Sequence, residues 1–174
     1  DYESPVESVG HGLTTKADLE NSAEVWALML ALSQDIGHKL RKYDKRAGGV
    51  QIDIRNNQLK TKQWQCKLSP HTNSAAIIAK AAYTLFERSY SWDYPIRSVT
   101  VRAIDLYAAS APEQLDMFGN VSVVDKKERL ESVVEEIHRR FGKNSILPAT
   151  ISRSLPKLPT DREVEIRMPT GMLS

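Results

Sequence analysis

The chain has 174 residues, 41% of them hydrophobic and 26% charged, which is enough apolar material for one domain with an appendage or for two small ones, and excludes a disordered chain. Its one cysteine, Cys66, excludes an internal disulfide and points to a reducing compartment, and its longest apolar run, VWALMLAL at 25–32, is far short of the roughly 20 residues of a membrane helix. The net charge of +2 conceals a basic tract from Lys39 to Lys67, where nine Lys and Arg face only Asp44 and Asp53, whereas residues 111–174 hold ten charges of each sign. Such a tract fits a polyanionic partner and an ordinary solvated face equally well. The chain opens DYESPVES, without an initiator Met, a basic n-region or an apolar h-region, so a cytoplasmic piece of a longer protein is expected, with no membrane partner.

In chain order, ESVGHGLTT (7–15) reads as a first strand. Asn21 with Glu24 three residues on opens a long helix, and Met29, Ile36, Leu40 and Tyr43 carry its stripe into KYDKR. Gly48 and Gly49 are expected to break that helix before VQIDIR (50–55), which alternates Val50, Ile52 and Ile54 against Gln51, Asp53 and Arg55. After a turn at NNQ (56–58), LKTKQWQCKL (59–68) sets Trp64, Cys66 and Leu68 against Gln63, Gln65 and Lys67, completing a hairpin. Following SPHTN, with Asn73 as the expected N-cap, Ile77, Ile78, Ala81, Leu85 and Phe86 mark a second helix that ends before Pro95. The last strand is IRSVTVRAIDLY (96–107), with Val99, Val101 and Ala103 opposite Ser98, Thr100 and Arg102.

This β-α-β-β-α-β order defines an α+β fold of split-βαβ, ferredoxin-like plan: a four-stranded sheet with two helices on one face and the other face free. The free face carries Gln63, Gln65, Lys67, Ser98, Thr100 and Arg102, a polar and basic set. Beyond it, EQLDMFGN (113–120) gathers Leu115, Met117 and Phe118 in a linker-like stretch. Asp125 with Glu128 gives a capping pair for an amphipathic helix through Leu130, Val133, Val134, Ile137 and Phe141, stopped by Gly142 and expected to pack on the sheet domain or on a partner. Pro148, Pro156, Pro159 and Pro169 punctuate an extended tail in which EVEIRM (163–168) could form a short strand.

Catalytic patterns are missing. There is no Gly-rich phosphate loop, HExxH, CxxC or nucleophile elbow, and His11, His38, His71 and His138 lie too far apart in sequence for metal-ligand spacing. Asp53 and Asp105 do not read as a metal pair, and Cys66, on the apolar side of its strand, reads as packing rather than as a reactive thiol. No metal site and no cofactor are expected in this chain.

Taken together, ESVGHGLTTK, the helix ending KYDKRAGGVQIDIR, SPHTNSAAIIAKAAYTLFERSY and IRSVTVRAIDLY resemble the little finger domain of the bacterial Y-family, lesion-bypass DNA polymerases, the impB/mucB/samB family. EQLDMF resembles the bacterial sliding-clamp-binding motif, with Met117 where Leu is usual, and KERLESVVEEIHRRFGKNSIL resembles the helix that ends many bacterial members. The resemblance implies four segments: a DNA-binding domain at 1–110, a linker with the clamp motif at 111–124, a helix and extension at 125–147, and a tail at 148–174. It implies a non-catalytic unit that holds primer-template DNA, while the polymerase palm and its Mg²⁺ ions belong to another part of the parent protein. Ser8, Gly10, His11, Lys62, Gln63, Arg97 and Arg102 match the family's phosphate-contacting places, His11 standing where a stronger base is common and Ser98 where a second Arg often follows. Gln114, Leu115, Asp116, Met117 and Phe118 match the clamp-binding residues, which makes the sliding clamp the second expected partner. Two other classes share the element order: an RNA-recognition module, which stacks bases on aromatics of its central strands, and a ferredoxin-like domain that senses a small molecule.

Overall fold

In the computed structural model, which describes residues 7–111, 121–142 and 145–154, the chain runs β1 (Val9–Leu19), α1 (Ser22–Lys42), β2 (Lys45–Asn56), β3 (Thr61–Thr72), α2 (Ala75–Ser89), β4 (Ile96–Ala108), α3 (Val121–Phe141) and α4 (Ala149–Ser154). The strands form one antiparallel sheet in the order β1-β4-β2-β3. β4 therefore splits β1 from β2, which α1 joins, and β2 splits β3 from β4, which α2 joins. The plan is the expected split βαβ, with β4 and β2 as its central pair. None of the described helices is long and apolar enough to cross a membrane.

Helices α1 and α2 lie on one face because nearly all the apolar residues of the central strands point there, Ile104 excepted. Val50, Ile52 and Ile54 of β2 and Val99, Val101 and Ala103 of β4 are fully buried with Leu28, Ile36 and Leu40 of α1 and Ile78, Ala82 and Phe86 of α2. Each large side chain in this layer contributes about 1.5–3 kcal/mol by leaving water. Phe86 also anchors an aromatic group, with Tyr90 at 5.4 Å and Trp92 at 5.7 Å between ring centroids. α1 begins at its expected cap: Asn21 accepts from the Glu24 N–H at 3.0 Å, and the Glu24 carboxylate accepts from the Glu20 N–H at 3.0 Å.

Four boundaries differ from the sequence expectation. β1 runs on to Leu19, past the expected end at residue 15. α1 ends at Lys42, and the chain reverses through Asp44, at φ 51°, straight into β2, so Gly48 and Gly49 lie inside the strand. A Cβ on Gly48 would stand 2.6 Å from Tyr107 Cε2 and 2.8 Å from the Asp105 carbonyl oxygen, so glycine marks a close approach to β4 here rather than a helix stop. β3 continues through Ser69, Pro70 and His71 to Thr72, and its register with β2 slips between the Gly49–Lys67 and Ala47–Thr72 pairs, a bulge that an edge strand tolerates. The cap of α2 is Ser74, whose hydroxyl accepts from Ile77 N–H, while the Asn73 carbonyl accepts from Arg41.

α3 starts at Val121, so Asp125 stands within the helix rather than capping it. It docks on the sheet domain with its acidic side. Glu128 accepts from Thr72 Oγ1 (2.9 Å) and Asn73 N–H (3.1 Å) and pairs with Arg46 at 2.8 Å. One turn on, Glu131 accepts from the Ala75 and Ala76 N–H groups at 2.7 and 3.0 Å, from Ser74 Oγ at 2.7 Å and from Arg41 at 3.1 Å. A carboxylate thus satisfies the free amides at the positive end of α2. Glu135 then pairs with Arg41 and His38. Burial pushes the Glu135 carboxyl up, but Arg41 and His38 outweigh it and hold the group below its ordinary value of 4.5. Leu130, Val133 and Phe141 of the apolar stripe are exposed instead.

Glu131→Ala strands two backbone amides and removes a charged partner of Arg41, and is expected to lower stability by on the order of 2–4 kcal/mol in urea denaturation. Leu130→Ala, on the same helix but exposed, is expected to cost less than about 0.5 kcal/mol.

Candidate nucleic-acid interface

The face of the sheet away from α1 and α2 is built in rows set by the strand register. One row runs Gly10, Arg102, Gln51, Gln65 across β1, β4, β2 and β3; the next runs Gly12, Thr100, Asp53, Gln63; a third runs Thr14, Ser98, Arg55, Thr61. Toward one end, Ile104, Gly49 and Lys67 make a fourth. Apart from Ile104 these positions are small, polar or charged, because the same alternation that sends Val50, Ile52, Val99 and Val101 to the core sends their neighbours outward.

The glycines of β1 make room on this surface. A Cβ at Gly12 would lie 2.3 Å from Thr100 Oγ1, and one at Gly10 would lie 3.2 Å from Arg102 Cγ. With only hydrogen there, the Thr100 and Arg102 side chains lean over β1, whose outer edge pairs with no described strand. Arg102 is 42% exposed and approaches Asp53 at 4.0 Å, and Gln51 donates to Asp53 at 3.3 Å. Arg55, Lys67 and Arg102 set three cations against the single carboxylate of Asp53 in these rows. The arrangement offers guanidinium, ammonium, hydroxyl and amide donors across a flat surface, as phosphate binding requires.

The residues singled out from the sequence separate by face. Gly10, Gln63 and Arg102 lie on the open face, and Ser8 is exposed just ahead of β1. His11 stands opposite Val101, on the helix side, where its Nδ1 lies 3.0 Å from Asp35 Oδ2 on α1. There His11 and then Lys39, at 2.7 Å, hold the Asp35 carboxyl well below the usual carboxylate range against the upward push of burial. Lys62 is exposed but stands opposite Ile54, on the other side of the strand from Gln63. Arg97 falls in a register irregularity between the Ser98–Arg55 and Ile96–Asn56 pairs, and its guanidinium reaches Asp18 at 3.5 Å and the Lys16 carbonyl at 3.4 Å.

Gly12, Thr14, Gln51, Asp53 and Arg55 complete the face without having been picked out as contacts. Their signal in the sequence was the period of two in GHGLT and QIDIR. Cys66 stands opposite Val50 on the helix side, and burial pushes its thiol up, in keeping with a packing role. Trp64 of the edge strand β3 also lies on the helix side, edge-on to Tyr90 at 6.4 Å, and Tyr107 near the end of β4 is stacked on His71 at 4.1 Å, so the rows through Ser98, Thr100 and Arg102 carry no aromatic ring for stacking bases. Gln114, Leu115, Asp116, Met117 and Phe118 lie outside the described residues.

With this geometry the chain belongs to the impB/mucB/samB family C-terminal domain, whose model matches residues 6–117. Among its relatives, DNA polymerase IV of Acetivibrio thermocellus is 34% identical over 146 residues, covering 84% of this chain and 37% of that protein. DNA polymerase IV 2 of Halalkalibacterium halodurans is 30% identical over 142 residues, covering 79% of this chain and 33% of that protein. The chain thus spans about a third of the length of the curated relatives it matches. Among solved structures, a complex of beta-clamp processivity factor and the little finger domain of PolIV overlaps with a TM-score of 0.49 at 15% identity, covering 64% of this chain and 98% of that one.

The Asp35 pairing sets a pH dependence. Its contribution is complete above the ordinary value of 3.8 and is lost as pH falls toward the lower folded-state value. Melting curves are therefore expected to show Asp35→Asn less stable than the parent at pH 6, with the gap closing between about pH 4 and pH 2.

Proposed function

We propose that this chain is the DNA-holding domain of a lesion-bypass DNA polymerase of the cytoplasm, acting in DNA repair, and that its open sheet face lies along the duplex and engages phosphates without reading bases. The observation that carries this reading is the composition of the rows: Arg55, Lys67 and Arg102 with Thr14, Ser98 and Thr100, on a surface flattened by Gly10 and Gly12. Phosphate contacts of this kind fix position and supply sequence-independent affinity, which a polymerase copying damaged DNA needs. Asp53 draws Arg102 toward the middle of the sheet. Ser8, Lys62 and Arg97 serve the flanks, and His11 acts from behind by tying β1 to α1. Family membership and the DNA polymerase IV relatives support the same reading.

In this reading, nucleotide transfer and its Mg²⁺ ions belong to a palm domain of the parent protein, and this chain has no catalytic part. The segment Gln114–Phe118 follows β4 and tethers the polymerase to the bacterial sliding clamp. Leu115, Met117 and Phe118 are its apolar anchors, each gaining about 1.5–3 kcal/mol on entering a partner's pocket, and Gln114 is a polar hook.

Two measurements test the proposal. Arg55→Ala with Arg102→Ala is expected to flatten the dependence of log K on log salt for duplex DNA by up to about 1.8, at roughly 0.9 per phosphate contact; an unchanged slope would place DNA elsewhere. Met117→Ala with Phe118→Ala is expected to weaken binding to purified clamp by on the order of 3–5 kcal/mol in calorimetric titration while the melting temperature stays the same. Full affinity in that variant would remove the segment from the clamp contact.

A further inference from the structure

β3 is the edge strand of the sheet, and its outer side pairs with no described strand. Beside it runs a groove of about 430 Å³, within the size range of sites that hold ligands. Its floor comes from α2: Ile77, Ala81 and Leu85 recur every four residues, share one side of the helix, and are only partly buried. Its walls carry Lys67, Lys80, Arg88 and Lys127, and no Asp or Glu lines it. These four cations are exposed and make no ion pair with a described residue, whereas Arg41, Arg46, Arg139 and Arg140 all do.

We propose that this groove takes an extended peptide in which acidic and apolar residues alternate, added as a fifth strand along β3. The edge supplies backbone hydrogen bonds and the two sides of the added strand meet different chemistry, as in other strand-addition sites. Side chains directed at the helix layer lie along Ile77, Ala81 and Leu85. The alternate, acidic set turns to the side on which Lys67 stands opposite Gly49, while Lys80, Arg88 and Lys127 flank the aliphatic floor on the helix side and attract the peptide through its net negative charge. A nucleic-acid strand fits less well, because no aromatic ring lines the groove to stack a base and its floor is aliphatic. The peptide site shares only Lys67 with the open face, and its aliphatic floor, its other cations and the strand edge do not depend on the DNA reading.

Fluorescence anisotropy on the 174-residue chain tests it, with a fluorescein-labelled hexapeptide Glu-Val-Glu-Ile-Glu-Val as the probe. Saturable binding is expected, absent for the Lys-Val-Lys-Ile-Lys-Val counterpart and for a backbone N-methylated copy. Lys80→Glu with Arg88→Glu, both at exposed positions, is expected to weaken the acidic peptide at least tenfold with an unchanged melting curve and unchanged binding of duplex DNA. No saturable binding, equal binding of the lysine peptide, or full affinity in the double variant overturns the proposal. So does oligo-dT of twelve nucleotides if it displaces the peptide and loses its own affinity in that variant, which would make the groove a nucleic-acid site.

Discussion

The pairing of β2 with β4 is the constraint on which the rest of the molecule depends. These two strands sit in the middle of the sheet, and from Val50 to Arg55 of β2 and from Ser98 to Ala103 of β4 their residues alternate between the helix layer and the open face. A slip of one residue in that pairing would carry Val50, Ile52 and Ile54 out to water and Gln51, Asp53 and Arg55 into the core. Because the register is fixed by that apolar layer, every position of the open face is fixed with it. His11 and Gly10 show the consequence: neighbours in the chain, one is bound to α1 through Asp35 and the other makes room for Arg102.

The extension beyond the sheet is held by a different force. α3 reaches the domain where α1 ends and α2 begins, a place rich in unpaired amides and basic side chains, and it brings Glu128, Glu131 and Glu135 to meet them. Arg41 is shared between Glu131 and Glu135, so the last turn of α1 is joined to two successive turns of α3. An attachment through charges and hydrogen bonds is directional, since it works only when the carboxylates sit at the right turns of α3. It also leaves Leu130, Val133 and Phe141 exposed.

The surface that remains divides by chemistry. The open sheet face is flat, polar and nearly free of apolar side chains, which suits a repeating polyanion whose sequence does not matter. The groove between α2 and β3 combines cations with an aliphatic floor and a free strand edge, which suits a partner with both charge and apolar side chains. Lys67 borders both surfaces, being outward on β3 and at the same time on the groove wall.

The sequence by itself determined the element order, the split-βαβ plan, the inward and outward sets of β2 and β4, and the Asn21 cap, because each rests on a local period or on a cap a few residues long. The family, too, was legible in the order of its segments. Tertiary structure decided what depends on neighbours distant in the chain. Gly48 looked like a helix stop because a glycine carries no local sign of the Tyr107 ring packed against it. Asn73 and Ser74 are both good caps, and Ser74 takes the role while the Asn73 carbonyl is held by Arg41. Leu130, Val133 and Phe141 of α3 looked buried along with Val134 and Ile137, which are partly buried, because periodicity ranks apolar residues above charged ones. The surface this helix actually meets, the amides of α2 and the guanidinium of Arg41, exists only once the sheet domain has folded.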